Sequence, residues 1–129
     1  MKPRIVLLYT RDQNFDRVLT EALGGIGVVV LTARSVADAL QIVCQRGSEL
    51  DLAVMDFDWA CRGMTLLSAV HTCHQQLPIL VTTSEDAEHL NVVAHANGAR
   101  VCLNKPIPAA TFANAISDLS APLGQLATA

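Results

Sequence analysis

Leu52-Ala53-Val54-Met55-Asp56 is an unbroken apolar run that ends on a carboxylate. It has no polar alternation, which suits a strand buried on both faces of a parallel sheet. A carboxylate at the C-terminal end of such a strand stands where open α/β sheets place their ligands. Two later runs close in the same way. Ile79-Leu80-Val81-Thr82-Thr83 ends on a hydroxyl, and Arg100-Val101-Cys102-Leu103-Asn104-Lys105-Pro106 ends on an ammonium followed by proline. Asp56, Thr83 and Lys105 therefore make one candidate site.

Outward from that run, strand-like and helix-like segments alternate five times. Arg4–Tyr9 is apolar and β-rich. Asn14–Leu23 follows, with Phe15, Val18, Leu19, Ala22 and Leu23 on one helical face. Gly24-Gly25-Ile26-Gly27 stops it. Val28–Thr32 is β-branched. Ser35 and Asp38 form a capping-box pattern for a second helix with stripe Val36, Ala39, Leu40 and Val43, ended by Gly47-Ser48. The third helix, about 64–75, turns Leu66, Ala69, Val70 and Cys73 inward. Pro78 precedes the fourth strand. The fourth helix, about 88–97, carries Leu90, Val93 and Ala94 and stops at Asn97-Gly98. Pro108 opens the fifth, which buries Phe112, Ala115, Ile116 and Leu119.

Five βα units with short turns predict an α/β fold. Right-handed crossovers favour a doubly wound, five-stranded parallel sheet of order 2-1-3-4-5, flavodoxin-like, in three α/β/α layers. That order gathers the ends of strands one, three, four and five, which carry Tyr9-Thr10-Arg11-Asp12, Asp56, Thr83-Ser84 and Lys105. The chain of 129 residues reads as one domain over 1–120 with a frayed tail over 121–129. No internal repeat or linker stands out.

The composition narrows the function. A hydrophobic content of 51% and mean hydropathy of +0.36 support a core, and a charged fraction of 16% argues against disorder. A net charge of −3 gives no electrostatic reason to expect nucleic acid or an anionic membrane as partner. No apolar run reaches the ~18 residues of a membrane span, and the N-terminus lacks signal-peptide features, so a cytoplasmic chain is expected. Cys44, Cys61, Cys73 and Cys102 show no CxxC spacing and are expected to be reduced. His71 and His74 lie one helical turn apart, but no partner pair completes a zinc site. They read as helix surface, as do His89 and His95.

At this point the chain resembles the receiver domain of bacterial two-component response regulators, over about residues 4–120. Leu52–Asp56 looks like the strand ending in the phosphoacceptor aspartate. Pro78–Ser84 looks like the strand carrying the phosphoryl-binding Thr or Ser. Asn97-Gly98-Ala99 and Leu103-Asn104-Lys105-Pro106 look like the segment with the lysine and proline. The three pieces stand in order and at family spacing. The resemblance implies that Asp56 accepts a phosphoryl group, that Thr83 and Lys105 stabilise it, with Ser84 as the neighbouring hydroxyl, and that Lys105-Pro106 is a cis step. It implies a sensor histidine kinase or phosphotransfer protein as donor. The output passes to a downstream protein or a homodimer through the fourth helix, fifth strand and fifth helix. No enzymatic activity, organic cofactor, membrane or nucleic acid is expected for the domain by itself. The chemistry agrees: a carboxylate holds a phosphoryl group as an acyl phosphate, whose oxygens need an ammonium, hydroxyls and backbone N–H groups around them.

The chain departs from the family in three places. The acidic pair that normally follows the first strand and holds Mg²⁺ is missing; Tyr9-Thr10-Arg11 stands there, and the next carboxylate is Asp12. Weak Mg²⁺ binding is expected, through Asp56 and Asp12, with the backbone carbonyl of Asp58 as a further ligand. Arg11 is expected to pair with Asp56 in place of the metal, and Asp12 to be a turn residue near an Asn14 cap. Ala60-Cys61-Arg62-Gly63 replaces a proline-containing loop. Cys102 stands where an aromatic switch residue is usual. Trp59, the only tryptophan, is either a loop-packing residue or a partner contact. The alternative reading is a pseudo-receiver, a phosphorylation-independent docking module. A flavin-binding enzyme on the same fold ranks last, because Tyr9–Asn14 has no glycine-rich phosphate loop.

Overall fold

The computed structural model describes residues 4–56, 60–84, 87–105 and 107–119. The chain runs β1 (Arg4–Tyr9), α1 (Gln13–Gly24), β2 (Val28–Ala33), α2 (Val36–Arg46), a 3₁₀ turn (Gly47–Glu49), β3 (Leu52–Asp56), α3 (Ala60–Cys73), β4 (Ile79–Thr83), α4 (Ala87–Ala96), β5 (Val101–Asn104) and α5 (Ala109–Leu119). The strands form one parallel sheet in the order β2-β1-β3-β4-β5, as the five βα units predict. The third and fourth strands are buried along their whole length. Both lie inside the sheet with neighbours on either side, which is why their sequences show no polar alternation.

Alternation along the strands divides the apolar residues into two cores. Leu7, Tyr9, Ala53, Met55, Ile79 and Val81 face one side, under α2, α3 and α4. Val6, Leu8, Leu52, Val54 and Leu80 face the other, against Leu19 and Leu23 of α1. Successive strand side chains point to opposite faces, so each run serves both cores at once. Parity also sets the site. Thr10, Asp56, Thr82 and Lys105 continue the even or odd series that points toward α1.

Helix ends differ from the sequence reading where capping chemistry decides them. α1 starts one residue earlier than expected, because Asp12, and not Asn14, is its N-cap. Ser35 caps α2 by accepting from the Asp38 N–H at 3.1 Å, as expected. α3 begins at Ala60, so the Ala60–Gly63 backbone is helical and not a loop. The inward face of α3 is Leu66, Leu67 and Val70, while Cys73 is exposed. On α1, Val18 is half exposed although Leu19 and Leu23 are buried. On α4, Ala94 is buried but Val93 is outward-facing. The side chains of Phe112, Ala115, Ile116 and Leu119, and the expected tail 121–129, lie outside the described residues.

His71 and His74 are not free surface. The imidazole of His71 packs into the notch over Gly98, and that of His74 sits over Gly47. The His71 Nδ1 is buried without a hydrogen-bond partner. Gly98 has φ +110, and its amide donates to the His95 carbonyl at 3.1 Å in closing α4. A Cβ there would overlap the His71 ring. Gly98→Ala therefore combines an unfavourable backbone with a clash, and it is expected to cost about 2 kcal/mol. Urea melts of the variant check this. A loss below about 0.5 kcal/mol would show that the turn repacks freely.

Candidate functional site

Parallel pairing sets Asp56 opposite Thr82, and Tyr9 opposite Met55, so the C-terminal ends of β1, β3 and β4 lie side by side. The turn after β5 returns Lys105 to the same edge, where its N–H donates to the Thr83 carbonyl at 2.7 Å. Asp56 is the buried carboxylate at the centre, its side chain only 2% exposed. Its Oδ2 accepts from the Lys105 Nζ at 2.9 Å and from the Thr10 Oγ1 at 2.6 Å. Its Oδ1 accepts from the Thr82 Oγ1 at 3.2 Å. Desolvating a carboxylate costs several kcal/mol, and an ammonium plus two hydroxyl donors offset that cost.

Lys105 is held from three sides. Besides Asp56, its Nζ reaches the Asp12 Oδ2 at 3.5 Å and stands 4.2 Å over the Phe15 ring. A cation over an aromatic face contributes about 1 kcal/mol. Asp12 also works at the helix: its Oδ1 accepts from the amides of Asn14 at 3.0 Å and Phe15 at 3.1 Å. The Phe15 amide is the main cause that holds the Asp12 carboxyl below the ordinary aspartate range, with the Lys105 charge adding to it. The folded value is depressed, so the cap is complete above about pH 4 and is lost as the pH falls through the lowered value. Asp12→Ala is expected to cost about 1 kcal/mol at neutral pH, less in acid. Chemical denaturation at the two pH values checks it, and an equal loss at both would contradict the capping account.

The structure brings together two of the three residues singled out at the strand ends and adds two more. Asp56 and Lys105 pair directly. Thr83 is buried at the end of β4, adjacent in sequence to the Thr82 whose hydroxyl donates to Asp56. Thr10 and Thr82 were missed. Strand parity was the available signal, since residues 6, 8 and 10 share a face with 52, 54 and 56, and with 80 and 82. The expected Arg11–Asp56 pair does not form: Arg11 is exposed and makes no ion pair among the described residues, and Lys105 holds that position. Ser84 is exposed beside Lys105 on the wall of a groove of about 730 Å³ between α1 and α5. Cys102 is half-buried, and burial pushes its thiol pKa up. Asp58, Trp59 and Pro106, with the expected metal-binding carbonyl and cis step, lie outside the described residues.

The donor set fits a divalent cation poorly. Among the described residues no group of three or more acidic, histidine or cysteine side chains is placed to hold a metal ion. The Asp12 Oδ1 is committed to two backbone amides, and its Oδ2 faces the ammonium. Asp56 faces the same ammonium. Mg²⁺ is usually held by one or two carboxylates beside phosphate and water. Here the carboxylates already face a fixed cation.

The geometry agrees with what known proteins show. Solved structures of the same fold include a response regulator receiver domain protein from Clostridium thermocellum, 21% identical, at TM-score 0.83 over 91% of this chain and 94% of that one. The chemotaxis response regulator CheY4 of Vibrio cholerae is 21% identical, at TM-score 0.81 over 92% of this chain and 99% of that one. A response regulator protein from Burkholderia pseudomallei, solved with a phosphorylated aspartic acid, calcium ion and citrate, is 19% identical, at TM-score 0.79 over 97% and 71%. No curated protein sequence matches the chain. The family model for the response regulator receiver domain matches residues 6–117. Nearly the whole sheet, helices α1 to α4, most of α5 and the Asp56–Lys105 pair fall inside that span, and the chain belongs to the response regulator receiver domain family.

Proposed function

We propose that Asp56 is the phosphoryl acceptor of this receiver domain, with a sensor histidine kinase or a phosphotransfer protein as donor. The observation that carries the reading is the 2.9 Å contact between a buried strand-end carboxylate and the Lys105 ammonium. An Asp56 oxygen attacks the phosphorus of a phosphoimidazole, an O–P bond forms and the N–P bond breaks. The imidazole nitrogen leaves with the electron pair and takes a proton from water. The acyl phosphate then carries charge on its free oxygens; Lys105 and the Thr10 and Thr82 hydroxyls already stand at Asp56, and Thr83 and Ser84 at the end of β4 are the further hydroxyls proposed to meet it. The groove beside Lys105, with Phe15, Val18, Ile26 and Ile107 in its walls, is the apolar surface against which the donor protein packs.

Receiver domains act by contact with such donors and with output partners. For this chain the output surface is assigned to α4, β5 and α5, where Val92 is 74% exposed and Val93 45%. Among the described residues no helix is long and apolar enough to cross a membrane. A purely docking pseudo-receiver is the weaker reading, because the family match and the retained Asp56–Lys105 pair both favour an acceptor. Intact mass after incubation with a small phosphodonor, with and without Mg²⁺, tests the choice. The expected result is one added phosphoryl group on the native chain and none on Asp56→Asn. No uptake under either condition, or equal uptake by the variant, would overturn it.

A further inference from the structure

We infer that Lys105 occupies the divalent cation's place at Asp56, so that the resting site is balanced by the chain's own ammonium and does not take up Mg²⁺. The inference concerns the same carboxylate as the proposed acceptor and shares the Asp56–Lys105 contact with it, but adds the Thr10, Thr82, Asp12 and Phe15 contacts around that pair. Three donors already meet Asp56: the Lys105 Nζ at 2.9 Å, the Thr10 Oγ1 at 2.6 Å and the Thr82 Oγ1 at 3.2 Å. Thr10 is the residue directly after β1, where the acidic pair would have pointed a carboxylate. Its hydroxyl oxygen also accepts the Asp12 N–H at 3.0 Å, so it is fixed as a donor toward Asp56. Lys105 cannot easily swing aside. Its side chain is 12% exposed, and the Phe15 ring and the Asp12 carboxylate bound its other sides.

Charge counting gives the sign. Asp56 and Lys105 sum to zero, and the other carboxylate at the site among the described residues, Asp12, is bonded to two backbone amides and the same ammonium. A dication arriving within a few ångströms of Lys105 is repelled by it. At 4–5 Å and an effective dielectric of about 20, each unit of charge involves several kcal/mol, more than the tenfold step of about 1.4 kcal/mol. Only displacement of the ammonium opens the site.

Mg²⁺ titration followed by amide shifts of Thr10, Asp12, Asp56 and Lys105 in two-dimensional NMR tests this. No phosphodonor is involved, so the outcome is separate from whether Asp56 accepts a phosphoryl group. The native chain is expected to show no saturable shifts up to tens of millimolar. Lys105→Met, and independently Thr10→Asp, are expected to raise the affinity at least about tenfold. The spectra themselves report whether each variant is folded. Saturable sub-millimolar binding by the native chain overturns the inference, as does a folded Lys105→Met that binds no better than the native chain.

Discussion

Lys105→Met is expected to destabilise the domain by about 3 kcal/mol at neutral pH. Methionine keeps an unbranched apolar side chain and removes the charge, including the one over the Phe15 ring, so the loss is mainly electrostatic. The cost arises at the partner. Asp56, whose side chain is 2% exposed in the native fold, loses the ammonium that contacts it at 2.9 Å. Breaking one side of a buried pair typically costs about 3–5 kcal/mol, and the low end applies because Thr10 and Thr82 still donate to Asp56. A buried carboxylate without a counter-ion relieves its cost by taking up a proton, so the deficit shrinks as the pH is lowered. The opposite variant, Asp56→Asn, is expected to be much milder, because Lys105 keeps Asp12 at 3.5 Å and the Phe15 ring. Urea melts of both variants at neutral and acid pH decide the matter. Equal losses for the two, or a Lys105→Met deficit independent of pH, would mean that the pair contributes packing alone.

The second large effect lies beneath the site. Leu80 is fully buried in β4 and packs in the core shared by Leu8, Leu19, Leu23, Leu52 and Val54. Leu80→Ala removes atoms from a strand paired on both sides, where the backbone has little freedom to close the gap. Leu→Ala changes of this kind cost about 2–5 kcal/mol, and about 4 is expected here. Against a typical total of about 5–15 kcal/mol that is a large fraction, and the urea midpoint should fall with little change in slope. A loss under 1 kcal/mol would show that α1 collapses onto the vacated volume. Leu80 also lies two residues before Thr82 on the same face, so the variant should disturb the Asp56 contacts where Leu31→Ala, on the opposite core, should not.

The fold was legible because each strand is a short apolar run between turn signals, and because short βα connections leave one common topology for five units. β3 and β4 are central and buried end to end, so their composition carried the message without periodicity. Element starts were less legible. The N-cap of α1 depended on whether the Asp12 or the Asn14 side chain reached the free amides, and propensity does not separate those two. α3 began four residues early because Ala60-Cys61-Arg62-Gly63 contains no strong helix signal beyond its alanine and arginine.

The site was half legible. Asp56 and Lys105 stood out as polar residues closing apolar strands. Thr10 and Thr82 did not, because a threonine at a strand end is ordinary, and only the parity of neighbouring strands aims its hydroxyl at Asp56. Arg11 was misread for the opposite reason. A guanidinium two residues past β1 looks well placed by sequence distance, yet Arg11 is exposed, and it is the Thr10 hydroxyl and the Lys105 ammonium that meet Asp56. His71, in α3, and His74, directly after it, read as surface because nothing in their own segment foretells that Gly47 and Gly98, from other parts of the chain, leave notches that imidazoles fill.

The central claim is that Asp56 receives the phosphoryl group. Borohydride reduction of the phosphodonor-treated chain converts an acyl phosphate to the corresponding alcohol, and peptide mapping then locates it. The account predicts homoserine at position 56 and unmodified aspartate at positions 12, 16 and 51. Homoserine at any of those positions with Asp56 intact, or phosphorylated protein that yields no homoserine, would contradict it.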